Sequence, residues 1–177
     1  MDFVEVMHTY FRGEKYTGLL LVPVGLALLG FAVHLWRAHT GSFMWAMMVP
    51  LALAGAGLLA GGAFLAIKTD GQVAALDKQL AKSPAELAQA ETERMAKVNA
   101  NWPRLKTIWS ILSVGSLVLL LVVRKDWATG LGLAFLLLSA AMMTLDVLAE
   151  RRAVVYTDGL ESLSVQVGDR PAPSPSP

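Results

Sequence analysis

The chain contains no cysteine. Disulfides, thiolate nucleophiles and Cys-ligated zinc, haem or iron–sulfur sites are therefore excluded, whatever the compartment. Histidine is almost as scarce. His8, His34 and His39 are the only three, and no two of them have metal-ligand spacing on one helix. Charged residues make up only 16% of the chain, and none lies deep inside its long apolar stretches. There is no Gly-rich phosphate loop after a strand, no His–carboxylate metal motif and no Gly-x-Ser-x-Gly elbow. The basic residues do not cluster as a nucleic-acid surface requires. No catalytic residue, cofactor or metal ligand is predicted, and the expected protein is not an enzyme.

What the chain has in abundance is apolar length. Hydrophobic residues make up 55% of its 177 positions, concentrated in four runs at 16–36, 43–67, 105–123 and 127–148. About 20 apolar residues are needed to cross a hydrocarbon core about 30 Å thick, and each run supplies them. Backbone groups in lipid must be satisfied within their own segment, so these runs are helices. The predicted fold class is an all-α membrane protein, a four-transmembrane-helix bundle with a helical hairpin between spans 2 and 3. An acidic amphipathic segment, not a basic one, precedes the first run. That run is therefore expected to stay in the protein and not to be cleaved as a signal peptide.

Charge orients the spans. Twelve of the fifteen Lys and Arg residues fall in the N-terminal segment, the central loop and the tail. Only Arg37, Arg124 and Lys125 fall in the two short loops. The positive-inside rule then puts both termini and the central hairpin in the cytoplasm. The tryptophans agree, with Trp36, Trp45 and Trp127 at outer span ends and Trp102 and Trp109 near the inner start of the third.

The predicted organisation has five parts. Residues 1–13 form an interfacial amphipathic helix, with Phe3, Val6, Met7, Tyr10 and Phe11 on one face and Gly13 as its end. His8, Glu5 and Arg12 on its polar face read as anchor residues in preference to a site. Residues 14–68 are the first transmembrane hairpin. Residues 69–103 form a helical hairpin, apolar at Val73, Leu76 and Leu80 and again at Leu87, Met95, Val98 and Trp102. Asp70-Gly71 is expected to break or bend its first arm, Ser83-Pro84-Ala85-Glu86 to cap its second, and Trp102-Pro103 to begin the third span. Residues 104–149 are the second transmembrane hairpin. Residues 150–177 form a tail that frays near Val155, turns at Asp158-Gly159, has weak strand character over 160–167 and ends in a disordered Pro-Ser stretch.

Two constellations lie inside the membrane. Gly57 and Gly61 have the small-xxx-small spacing that lets helix backbones approach closely, and this face is expected to meet another span of the same chain. Homodimerisation through it is the alternative. Gly18 and Gly25 on the first span offer a complementary groove. Ser110, Ser113 and Ser116 form a polar stripe on the third span, expected to face the interior. Asp146 on the fourth is the only acidic residue within an apolar run, with Lys106 and Lys68 near its depth. An intramembrane carboxylate is a candidate ion or proton site by default; a structural ion pair or a snorkelling carboxylate is the favoured reading here.

An Ala-, Gly- and Leu-rich composition suggests a bacterial inner membrane. The expected function is protein–protein interaction within or at that membrane, of an accessory or toxin-immunity type, with the bilayer and another membrane or toxin protein as partners. A homo-oligomer is compatible with this, and no nucleic acid is expected. The alternative is a small transporter or channel subunit that uses Asp146 and the serine stripe.

Overall fold

A computed structural model describes residues 2–38 and 41–168. Four helices account for almost all of them: α1 (Phe3–Ala38), α2 (Ser42–Lys82), α3 (Pro84–Val122) and α4 (Asp126–Gly168). Each is long and apolar enough to cross a membrane, which makes the chain a multi-pass membrane protein by length and composition. No strand occurs among the described residues.

Helix length shapes the molecule. Forty residues rise about 60 Å, roughly twice the hydrocarbon thickness. Each helix therefore has an apolar shaft and an extension at the end that carries the start of α1, the end of α4 and the α2–α3 turn. We call that end the polar end. There the four extensions bury Phe3, Met7, Tyr10 and Phe11 of α1 against Leu87 and Met95 of α3 and Tyr156 and Leu160 of α4. Val73, Leu76 and Leu80 of α2 close the core. Water drives this burial at about 25 cal/mol per Å² of apolar surface removed from it.

The amphipathic faces read from sequence are the buried ones, but the predicted breaks between segments do not form. Residues 3–13 are the first turns of α1, not a separate interfacial helix. At Gly13 a Cβ would meet the Arg152 side chain at 2.6 Å, so this glycine makes room for a neighbour and ends nothing. Gly159 likewise lies in α4, where a Cβ would come 3.0 Å from Val6. The expected fraying, turn and strand are all helix through Gly168. Asp70-Gly71 stays helical inside α2, and Pro103 inside α3. A glycine costs a helix interior only about 1 kcal/mol, which packing on three neighbours outweighs. The Pro-Ser stretch lies outside the described residues.

The α2–α3 turn does fall at Ser83. Pro84 takes the first helical position and Glu86 the first turn, although the serine side chain makes no capping hydrogen bond. The bond that is present is backbone, from Leu87 N–H to the Ser83 carbonyl at 3.1 Å.

Candidate functional site

Within the shaft, α1 and α2 are joined by glycines. A Cβ on Gly18 would sit 2.8 Å from the Gly62 carbonyl oxygen, and one on Gly25 would sit 2.7 Å from that of Gly55. Gly18 and Gly25 thus provide the expected groove, but their partners are Gly55 and Gly62. Gly57 and Gly61 have nothing within 4 Å of a hypothetical Cβ. The reason is angular: at about 100° per residue, Gly57 lies about 200° around the helix from Gly55. The predicted packing pair therefore faces away from α1 and touches no other span.

That face is one wall of a groove of about 1110 Å³ between α2 and α3, floored by α4. Three consecutive residues set its floor. Gly130 lets α4 press against the Phe43 carbonyl of α2, and a Cβ on Gly132 would meet Leu120 of α3 at 2.7 Å. Leu131, between them, points into the space, followed at helical spacing by Phe135, Leu138 and Met142. The α2 wall mixes small residues, Ser42, Ala46, Ala54 and Gly57, with larger ones, Val49, Leu53 and Leu58. Trp45 and Trp127 flank one end and Trp109 the other. No charged residue lines it. The groove exists because α3 packs mainly on α4 and barely meets α2.

Asp146 lies beyond the Trp109 end. It accepts a hydrogen bond from Trp109 Nε1 at 2.6 Å, not from a lysine. Lys106 is paired instead with Glu150 at 2.6 Å, one helical turn further along α4. Lys68 lies over the Phe64 ring at 5.4 Å. The carboxylate is thus satisfied by a donor that was assigned in sequence only to the interface. The serine stripe is split as well: Ser116 is buried and bonded to the Leu112 carbonyl at 2.7 Å, while Ser113 meets Ser139 of α4 at 2.8 Å. Ser110 is exposed. Spacing of three drifts about 60° per step, so Ser110 stands about 120° around α3 from Ser116.

A second polar assembly occupies the core of the polar end, within the mixed-sign run of charges over 78–97 whose default reading from sequence is a solvated face, with a docking surface for another protein as the alternative. Glu91 is buried and takes a forked interaction from Arg94, with the shortest contact at 2.8 Å. The Tyr156 hydroxyl donates to the same carboxylate at 2.9 Å. Tyr156 stacks on Tyr10 at 4.6 Å between centroids and 11° between planes, and Arg94 lies over Phe11. Burial, then the negative charge and hydrogen bond of Glu91, push the Tyr156 phenol above its ordinary range. Burial and Glu14 do the same for Tyr10. Burial by itself would lower the Arg94 pKa, but the Glu91 hydrogen bond and charge outweigh it and hold the guanidinium protonated. Glu91 and Arg94 stand at i and i+3 on α3; that they point inward depends on α4 supplying Tyr156.

Among the described residues no group of three or more His, Asp or Glu side chains is arranged to hold a metal ion. Comparison with protein families, with curated proteins and with solved structures gives no match.

Proposed function

We propose that this chain acts by binding, and that the groove between α2 and α3 receives a transmembrane helix of a partner protein. The observation that carries this reading is the dimension of the groove. From Ser42 to Leu58 its α2 wall runs about 24 Å at 1.5 Å per residue, most of a hydrocarbon thickness of about 30 Å. An acyl chain anchored in one leaflet reaches about half that depth. A helix about 10 Å across and half sunk over 24 Å would occupy on the order of 1,000 Å³, against the 1110 Å³ present. The small residues Ala46, Ala54 and Gly57 in the α2 wall, across from bulky Leu131 and Phe135, suit helix contact, because in lipid association depends on short-range packing and not on hydrophobic burial. A concave groove cannot fill itself across a two-fold axis, which favours a different protein over a second copy.

On this reading the chain is an integral protein of a bacterial inner membrane, with its polar end in the cytoplasm. The excess of Lys and Arg at that end supports the orientation. An accessory role or immunity to a membrane-acting toxin belongs to this class of function. A transporter subunit has less support, since Asp146 and Ser113 each already have a hydrogen-bond partner within the chain.

The test is a photoreactive side chain placed at Ala54 or Gly57, with Ile111 and Leu121 on the outer face of α3 as controls. A discrete protein adduct from groove positions alone supports the proposal. Adducts of lipid only, or equal protein adducts at all four positions, would end it. Reporter fusions after Ser83 and after Gly41 check the orientation, and should read cytoplasmic and external respectively.

A further inference from the structure

Where the shafts of α1 and α2 meet their polar extensions, the two helices form a ladder of charge. His8, Arg12 and Lys15 occupy one face of α1 at i, i+4 and i+7. Asp70, Ala74 and Asp77 occupy one face of α2 at the same spacing. Because the helices are antiparallel, Lys15 meets Asp70 at 2.7 Å and His8 meets Asp77 at 2.9 Å. The middle rung sets Arg12 across from Ala74, where no carboxylate is available. Arg12 makes no ion pair among the described residues. These six residues border a crevice of about 430 Å³. Tyr16 and Leu19 border it on the shaft side, at the start of the first apolar run, so the crevice lies at headgroup depth.

The charges are arranged as a dipole. One wall carries Arg12 and Lys15, the other Asp70 and Asp77, and with His8 neutral the formal sum is zero. An anionic ligand would meet two carboxylates, and a simple cation would meet two basic groups. A zwitterion matches both walls. Arg12 offers a planar fork of donors that suits a phosphate. The aspartates are acceptors only, so the positive end of the ligand must donate hydrogen bonds. A primary ammonium has three donors to give, and a quaternary one has none.

We propose that this crevice binds a phosphate–primary-ammonium zwitterion, the headgroup of a phosphatidylethanolamine-type lipid. The phosphate sits on Arg12 between Lys15 and His8, the ammonium lies against one of the two aspartates, which stand about 10 Å apart along α2, and the acyl chains pass down over Tyr16 and Leu19. The site is separate from the α2–α3 groove and does not depend on what occupies that groove.

Native mass spectrometry of the full chain, with phosphatidylethanolamine, phosphatidylcholine and phosphatidylglycerol of identical acyl chains added in equal amounts, tests it. Phosphatidylethanolamine should be retained at least fivefold over the other two. Arg12→Gln should remove that preference. The double exchange Lys15→Asp with Asp70→Lys keeps an ion pair, and so the melting temperature, while leaving neither wall with a net charge; it should also remove the preference. Equal retention of all three lipids by the wild-type chain, or a preference that survives both variants, would overturn the proposal. Displacement of the lipid by an equimolar amount of free O-phosphoethanolamine would overturn its assignment to a lipid.

Discussion

The polar end and the shaft are built from the same four helices yet are held together differently. At the polar end large side chains fill the centre: Met7, Leu87, Met95, Tyr156 and Leu160 are fully buried. In the shaft the close contacts run through glycines, Gly18, Gly25, Gly55 and Gly62 between α1 and α2 and Gly130 and Gly132 on α4, while most large apolar side chains face outward. The solvent explains the contrast. Against water an apolar side chain gains by entering a core. Against lipid it gains almost nothing, so only surfaces that let backbones approach become interfaces. A shaft face without such a match stays open, and the α2–α3 groove is that face.

The comparison breaks most sharply at Glu91. Arg94→Leu leaves its carboxylate buried with the Tyr156 hydroxyl as sole remaining partner. Loss of one partner from a buried pair costs about 3–5 kcal/mol. The lower end applies here, because the Arg94 side chain is 33% exposed. Equilibrium unfolding in detergent should show that loss, and Glu91→Leu with Arg94→Leu should recover part of it. If Arg94→Leu unfolds like the wild type, the polar end is not held as described.

In the shaft the corresponding change is glycine to leucine. Gly25→Leu or Gly62→Leu should cost about 1–3 kcal/mol by overpacking, because each new Cβ lies under 3 Å from backbone of the other helix. Gly57→Leu should leave the isolated chain's stability unchanged and abolish the groove adduct. Equal destabilisation by Gly25→Leu and Gly57→Leu would erase the distinction between the packed and open faces of α2.

How much of this was legible in the sequence follows the same division. The four spans and the faces of 3–11, 73–80 and 87–102 could be read from periodicity, since they report which side chains avoid water. Segment boundaries could not, because Gly13, Gly71 and Gly159 are breaking signals only where no neighbour supports the helix. Nor could the choice between Gly55 with Gly62 and Gly57 with Gly61. Both sets satisfy a small-residue spacing, and only the placement of α1 selects one. Asp146 calls for a partner by its depth, but the sequence points to Lys106 and Lys68 there and gives no sign that the Trp109 N–H is the donor. Glu91 and Arg94 looked solvated because nothing local reveals that Tyr156, 65 residues away, closes over them.

Alkali should separate the two regions within one molecule. The Tyr10 and Tyr156 phenols are raised above their ordinary value of 10.0 by burial first and by Glu14 and Glu91 next. A raised folded-state pKa means that the folded chain holds protons the unfolded chain has lost. Their contribution is therefore complete below pH 10 and drains away as pH rises beyond it. In a Tyr16→Phe background, phenolate absorbance above pH 10 should lag that of free tyrosine and appear together with solvent exposure of the polar end. Ordinary phenolate titration with the polar end intact would show that the stacked pair is not buried.

The smallest effect is expected at Asp146. Its oxygen accepts from Trp109 Nε1, and an amide oxygen can accept the same bond, so Asp146→Asn should change stability by less than about 1 kcal/mol. Asp146→Leu removes the acceptor and leaves an indole N–H at the edge of an apolar groove, where an unmade hydrogen bond costs about 1–3 kcal/mol. Trp109→Phe in the same background removes the stranded donor, so Asp146→Leu with Trp109→Phe should be more stable than Asp146→Leu alone. Lys106 should be indifferent to all three changes, because its ion pair is with Glu150. A double-mutant cycle between Asp146 and Trp109 measures the coupling directly. Coupling near zero, together with loss of biological activity in Asp146→Asn at unchanged stability, would turn this carboxylate from a structural acceptor into an ion or proton site. It would also shift the functional reading from the groove to a transport path.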